Sequence, residues 1–330
     1  MKESEVFKVG INETDMELSA VTCPICASPA RYDFSSRDIM FELYDRHDYF
    51  TCIECESTFL MPTPTSEQLN SFYPADYMVF DQTKQNRKLS QYKKAILWQK
   101  YAYKHLAVSA IYKLLAPLLT PFLHSEKPAF IEGGSLLDVG AGNGRYLLTM
   151  KALGWNVQGV EMSDDGVKVC RSAGLNVHHG DLVSAEFVAD SFDVITVRHV
   201  IEHITQPHPF MAELARVLKP GGKLIIETPN SQALGRAMFG ANWYANDVPR
   251  HVILFSPDTL NKLVEDYGLI SDALRLTTSP KIFLNSLDYL TANKGKPSKR
   301  VRWKRLCARV YVWFARSRNR GDTIHAVYTK

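Results

Sequence analysis

The chemistry of this chain concentrates in Leu136-Leu-Asp-Val-Gly-Ala-Gly-Asn-Gly-Arg145. Two leucines suit a strand buried on both faces. They lead to the carboxylate of Asp138 and then to Gly140, Gly142 and Gly144, which let a backbone approach a ligand with no Cβ in the way. The helix that should follow directs its free N–H groups at the turn. A dinucleotide cradle needs G-x-G-x-x-G, and Arg145 stands where the third glycine would be. Asp138 would repel a pyrophosphate and attract a ligand carrying an ammonium and a sulfonium. S-adenosylmethionine (SAM) is such a ligand.

The next candidates are acids and histidines at regular distances downstream. Glu161 ends an apolar run, Val157 to Val160, about 20 residues beyond the glycines, where an acid reaches ribose hydroxyls in doubly wound folds. Asp181 ends Asn176-Val-His-His-Gly-Asp and could accept from an adenine amino group. Phe192 to Val197 reads as a fourth strand running into Arg198-His-Val-Ile-Glu-His203. Strand ends face the crevice of such folds, so His199, Glu202 and His203 are candidates for proton transfer. His203 would take the proton with Glu202 orienting it, and His251 is the rival base. Arg250 could bind an acceptor phosphate or carboxylate bidentately. Phe210 to Leu218 has helical spacing, with Pro220-Gly-Gly222 as its stop and Lys223 to Glu227 as a fifth strand. The strand-4 end has Val197-Arg-His-Val, not the Asp/Asn-Pro-Pro-aromatic segment used on exocyclic nitrogens of DNA bases.

Four cysteines form a second constellation. Cys23-Pro-Ile-Cys26 and Cys52-Ile-Glu-Cys55 are C-x-x-C knuckles, and two such turns can present four thiolates tetrahedrally to a structural zinc ion. The gap of 25 residues between them exceeds the usual range of about 15–20. Strand-like Arg31 to Phe34 and Phe41 to Tyr44 would form the ribbon's sheet. A redox pair would be a single C-x-x-C beside a βαβ unit, which is not the pattern here.

In order and spacing these motifs resemble the class I SAM-dependent methyltransferases. The segments are LLDVGAGNG, VQGVEMS, HHGDL, FDVITVRHVIEHI, LKPGGKLIIETPN and WYANDVPRHVILFSP. The resemblance implies an α/β, Rossmann-like seven-stranded sheet. It implies that Asp138, Gly140, Gly142 and Gly144 line the methionine and ribose side, that Glu161 holds the ribose, that Met162 packs on the adenine, and that Asp181 and Leu182 meet its edge. With the preceding CPIC…YFTCIECESTFLMPTP…FYPADY, the chain is similar to a family that includes sugar C-methyltransferases and glycan-modifying enzymes, although Ala27 and Glu56 stand where those ribbons often have glycine. That likeness places Tyr73 and Tyr77 near the methyl donor. It gives as acceptor a sugar or glycan precursor, nucleotide- or lipid-linked, methylated at oxygen or carbon. The alternatives are O-methylation of a quinone-like or other lipophilic small molecule, and, in another class, a zinc-ribbon nucleic-acid-binding protein.

These sites need at least two domains, which 330 residues allow. The expected layout is a zinc ribbon over 1–62, a helical connector or lid over 63–130, and a methyltransferase core over 131–330 with a basic helical insertion at about 281–320. Leu89 to Leu119 reads as helix. The N-terminus lacks the apolar core of a signal peptide, so the expectation is a cytoplasmic protein. The formal charge is +4, yet residues 294–320 hold eleven Lys or Arg and no acid, so the remainder is net acidic by seven. Trp303, Leu306, Val310, Trp313 and Phe314 fall near helical spacing there, with Arg302, Arg305, Arg309 and Arg316 mostly off the stripe. Such a helix reads as peripheral contact with the inner face of a membrane, or as a helix whose apolar stripe packs inward. No RNA-binding motif of the common types is present, which argues against nucleic acid.

Overall fold

The computed structural model describes residues 21–42, 45–73, 89–119, 127–290 and 302–330; Tyr77 lies outside them. At the N-terminal end, β1 (Ala30–Arg37), β2 (Arg46–Cys52) and β3 (Thr58–Met61) form an antiparallel meander. The strand expected at 41–44 is displaced, because Asp38 accepts a hydrogen bond from the Phe41 amide at 3.0 Å and turns the chain there. The fourth strand of this sheet comes from far downstream: Phe59 pairs with Ile253 and Thr58 with Leu254. After α1 (Ser66–Ser71) the continuous helix expected over 89–119 is broken into α2 (Gln91–Lys100) and α3 (Ala110–Leu119). Tyr103 explains the break. It is fully buried against Leu136, Leu147 and Trp155, donates to the Pro128 carbonyl and accepts from Trp155 Nε1 at 3.0 Å. A helix continuing through Tyr101 would not place its ring there.

The remaining elements alternate. In chain order they are β4 (Ser135–Val139), α4 (Arg145–Ala152), β5 (Asn156–Glu161), α5 (Asp164–Ser172), β6 (Val177–His179), β7 (Phe192–Arg198), α6 (Pro207–Val217), β8 (Leu218–Pro229), α7 (Leu234–Phe239), β9 (Ile253–Leu254), α8 (Pro257–Glu265), β10 (Ile270–Thr277), α9 (Pro280–Leu290), α10 (Arg302–Ser317) and β11 (Thr323–Thr329). They build a seven-stranded sheet in the order β10-β11-β8-β7-β4-β5-β6. β4 to β8 are parallel, while β11 runs antiparallel to both neighbours. The fold is therefore the expected Rossmann-like one. β8 begins earlier than expected, at Leu218, because Pro220-Gly-Gly222 sits inside the strand; the pairing with β7 shifts register there and resumes at Lys223.

β4 lies between β5 and β7, so strand order reverses on either side of it. Ligands of open parallel sheets bind outside the carboxyl ends of strands at such a reversal. Asp138 and the glycines lie at that end of β4. Leu136, Leu137, Ile195, Val197, Leu224 and Ile226 are fully buried, as a sheet covered on both faces requires. On the far side, α7, α9 and α10 close a third core around Trp243, Phe283 and Tyr311. It is pinned by buried Asp322, which accepts from Trp243 Nε1 at 3.1 Å and Tyr311 Oη at 2.7 Å.

Candidate active site

The glycine turn is a tight left-handed loop with one open side. Gly140, Gly142 and Gly144 all have positive φ. A Cβ on Gly140 would fall 2.3 Å from Val200 Cγ2, and one on Gly144 would fall 2.5 Å from Leu175. A Cβ on Gly142 would meet nothing within 4 Å. The outer two glycines are thus required by packing, and Gly142 faces the crevice. Its amide donates to Glu161 Oε2 at 2.6 Å, while the Ser163 amide donates to Oε1 at 2.8 Å. Two backbone amides therefore fix the Glu161 carboxylate at the end of β5, and each oxygen keeps a lone pair for a hydroxyl. Met162 follows with 64 % of its surface exposed, a flat apolar side for a base. Asp181 is exposed and accepts from the Ser184 amide at 2.7 Å. Leu182 is buried in the main core, so only its backbone is left for a ligand.

Asp138 differs from its expected role. Its carboxylate has no exposed surface. It accepts from Thr196 Oγ1 at 2.6 Å and from Arg198 at 3.4 Å. Burial raises its pKa despite Arg198 and Thr196. Arg198 stacks on the Tyr146 ring with its guanidinium carbon 3.8 Å from the centroid. Among the described residues, buried Arg198 Nε and Tyr146 Oη have no hydrogen-bond partner. Asp138 therefore reaches the crevice through Arg198, whose side chain is partly exposed, while the two unsatisfied atoms are themselves closed off from solvent. Together with the open side at Gly142, the anchored Glu161 and the exposed Met162, these groups fit SAM. Sequence reading missed Arg198 and Tyr146; the only signal was a charged residue ending an apolar strand.

The histidine cluster is assembled as a unit at the end of β7. Glu202 is fully buried. Thr228 Oγ1 donates to its Oε2 at 2.9 Å, and His199 Nδ1 lies 3.2 Å from Oε1. Burial alone would raise this carboxyl, but the hydrogen bond from His199, with the charges of His199, His251 and His203, holds it down at about 2. The same bond outweighs burial and raises His199, which adopts φ +53 to make it. His251 is 8 % exposed, and its Nδ1 is 2.9 Å from the Ala245 carbonyl. A carbonyl only accepts, so Nδ1 carries the proton and Nε2 keeps a lone pair, 3.9 Å from both Glu202 and Asp247. Burial, aided by His203, pushes this imidazole down to about 4. His203 is half-buried, and its Nδ1 lies 2.9 Å from both Tyr73 Oη and the Arg250 carbonyl. Donor atoms of Glu202, His203 and His251 lie within 4.8 Å of one another, a spacing that suits a shared divalent cation and exceeds that of a direct hydrogen bond.

Arg250 does not bind an acceptor, contrary to the sequence expectation. It is completely buried, and its guanidinium donates to Asp38 at 2.5 Å, Asp247 at 2.7 Å and the Phe72 carbonyl at 3.1 Å. No edge of it faces solvent. It clamps the ribbon, the segment after α1 and the core together beside His251 and His203. Tyr49 Oη, buried in β2, adds a bond to the His251 carbonyl at 2.8 Å.

The four knuckle cysteines converge. Cys23 and Cys55 sulfurs are 3.6 Å apart, those of Cys26 and Cys52 3.5 Å, and all four lie within 4.8 Å of one another. Four ligands at about 2.3 Å from a tetrahedral zinc would be about 3.8 Å apart, so the set fits. Amides of Ile25, Glu54 and Cys55 point at the sulfurs from 3.4 Å, as thiolate ligands require. Ala27 and Glu56 have φ of 58° and 57°. The ribbon keeps the glycine-favouring turn without the glycine.

A family model described as "Methyltransferase domain" matches residues 103–270. The chain is 34 % identical over 137 residues to a ubiquinone biosynthesis O-methyltransferase of Maricaulis maris, covering 39 % of this chain and 53 % of that protein. It is 31 % identical over 172 residues to the protein of that name from Thiobacillus denitrificans, covering 48 % and 73 %. The chain thus spans about half the length of the Maricaulis relative. Among solved structures, a SAM-dependent methyltransferase from Archaeoglobus fulgidus is similar with a TM-score of 0.44 at 22 % identity, over 60 % of this chain and 86 % of that one. The [4+2]-cyclase SpnF gives 0.48 at 17 % identity, over 81 % and 97 %.

Two outcomes are expected from this geometry. Arg250→Met leaves Asp38 and Asp247 buried without their partner and should lower unfolding free energy by about 3–5 kcal/mol in urea titration; an unchanged midpoint would deny the clamp. His251 has a folded pKa below its unfolded value, so its contribution is complete above about pH 6.5 and is lost as pH falls toward about 4. The thermal midpoint should therefore drop across that window in the wild type and drop less in His251→Gln.

Proposed function

The chain belongs to the methyltransferase-domain family, and we propose that it transfers the methyl group of SAM to a hydroxyl oxygen of a quinone-like or other lipophilic ring. The observation that carries this reading is the Glu202–His199–His203–His251 cluster at the end of β7, beside the crevice at β4. SAM bound in that crevice supplies a methyl carbon on a sulfonium that already leaves well, so alignment does most of the work. Glu161 and the turn at Gly142 orient the donor. A hydroxyl acceptor must lose its proton as the new C–O bond forms, and His203 takes it. Glu202 and His251 are buried; of the two members with open surface, His199 is tied through Nδ1 to Glu202 with its pKa raised, which favours its protonated form and leaves His203 as the base. Its Nδ1 proton is held by the Arg250 carbonyl, leaving Nε2 as the basic atom. Glu202 stays anionic and stabilises the imidazolium that forms, while His251, held neutral, adds no opposing charge.

The printed names of the relatives favour a ring hydroxyl over a sugar. The sugar reading rests on the ribbon and on Tyr73, which meets His203 at 2.9 Å. Labelled-methyl transfer into demethylated quinone precursors and into nucleotide sugars separates them; labelling of the sugars alone would reverse the choice. In the same reading the four cysteines hold one structural zinc.

Two tests follow. Glu161→Ala should weaken SAM binding by about 10- to 100-fold in calorimetry, the equivalent of one or two charge-assisted hydrogen bonds, and His203→Ala should lower kcat by about 10²–10⁴ with SAM affinity kept. Full turnover in His203→Ala would pass the role to another group. Metal analysis should find one zinc per chain, and Cys26→Ser with Cys52→Ser should lose it and melt early, since such sites contribute about 10–16 kcal/mol of apparent binding energy.

A further inference from the structure

The basic helix α10 carries two apolar faces, and among the described residues one of them is packed and the other exposed. Ala308, Tyr311 and Ala315 are buried against α9 and the Trp243 core. The stripe read from the sequence is a different one: Trp303, Leu306, Val310 and Trp313 are 47–63 % exposed, and Phe314 is 37 % exposed. At about 100° per residue these five side chains fall within about 100° of arc, turned well away from the packed face. Arg302, Arg305, Arg309 and Arg316 line one flank of the stripe, all exposed. The helix itself contains no acid. Lys304 is drawn to Asp288 of α9 at 3.5 Å, on the packed side.

We propose that α10 docks the protein on an anionic phospholipid bilayer, with Trp303, Leu306, Val310 and Trp313 entering the interface and the arginine row lying against the headgroups. Charge selects this occupant. A second copy meeting the stripe face to face would bring two uncompensated arginine rows together. A nucleic acid would satisfy the arginines and leave two tryptophans, a leucine and a valine against phosphates or water. A lipid surface takes both, apolar side chains below the headgroups and guanidiniums among them. Tyr311 Oη bonded to Asp322 at 2.7 Å anchors the helix so that its free face stays outward. None of the described helices is long and apolar enough to cross a membrane, so the contact is along the surface. It stands independently of the acceptor.

The test is flotation of the full chain with vesicles of phosphatidylcholine alone and of phosphatidylcholine with phosphatidylglycerol, with tryptophan emission recorded alongside. The expected result is at least about tenfold stronger binding to the anionic vesicles, a blue shift on binding, and weakening by added salt. Trp303→Ser with Trp313→Ser should abolish the shift and cut binding at least about tenfold; Arg305→Gln with Arg309→Gln should remove the anionic preference. All four side chains are exposed, so melting temperature and SAM affinity should be unchanged. Absence of binding to anionic vesicles, or binding that neither variant alters, would overturn the proposal. So would a change of the tryptophan variant from dimer to monomer without any lipid binding.

Discussion

The burial of one guanidinium governs how the parts of this protein meet. Arg250 is taken wholly out of water, which costs several kcal/mol unless carboxylates and carbonyls replace the solvent. It finds them on three different segments: Asp38 beyond β1, the Phe72 carbonyl after α1, and Asp247 next to it in the core. None of these can withdraw without stranding a buried charge. The clamp therefore holds the ribbon on the core in one geometry, because removing any one partner leaves a buried charge unmatched. It also fixes the backbone on which His251 and the Arg250 carbonyl sit, and through that carbonyl the orientation of His203. Tyr73, one residue beyond Phe72, is delivered to His203 by the same arrangement.

Charge balance around the clamp sets the protonation pattern of the site. Asp38 and Asp247 outnumber Arg250, and Glu202 adds a third buried anion. His199 is the member that carries a compensating proton: burial opposes it, but the hydrogen bond and charge of Glu202, with the charge of Glu227, outweigh that and raise its pKa. His251 is buried and cannot, so it stays neutral although two carboxylates lie 3.9 Å away. Groups with opposed protonation states pressed together in one pocket are what acid–base chemistry needs. At the neighbouring strand end the logic repeats with different residues: Asp138 is neutralised by Arg198, and Arg198 in turn is presented to the crevice on the face of Tyr146.

The sequence makes legible those features whose physical causes are local. Three alternating glycines are a backbone requirement, and all three take positive φ. Strand-end acids follow from the two-residue period of strands and the spacing of βα units, and Glu161 stands as expected. Features caused by distant partners are not legible. Nothing near Arg250 announces Asp38, which lies 212 residues earlier, so a free anion-binding arginine was a reasonable expectation. The break after α2 is caused by the buried site for Tyr103 between Trp155 and Phe130, and periodicity continues through it undisturbed. α10 shows a third limit. Periodicity reveals an apolar stripe but not which of two stripes faces the core, and the smaller one, Ala308-Tyr311-Ala315, is the one that packs.

The position of the ribbon also bears on what it is for. The ribbon's sheet keeps β1 as its outer edge and turns its other side to the core. Here the β3 edge is taken by β9, and Leu60 and Val252 extend the pairing, with the Val252 amide donating in turn to the Glu202 carbonyl at 2.7 Å. The knuckle carbonyls are committed as well: Ile25 accepts from His208 at 2.8 Å, and Cys55 accepts from Ser256 and Thr259. These backbone groups of the ribbon are thus directed inward, at His208 of α6 and at the segment 252–259 that follows His251. A zinc ion holding the four cysteines would stiffen a wall of the active site, and its loss would be felt first at His251 and His203 and only afterwards in the seven-stranded sheet.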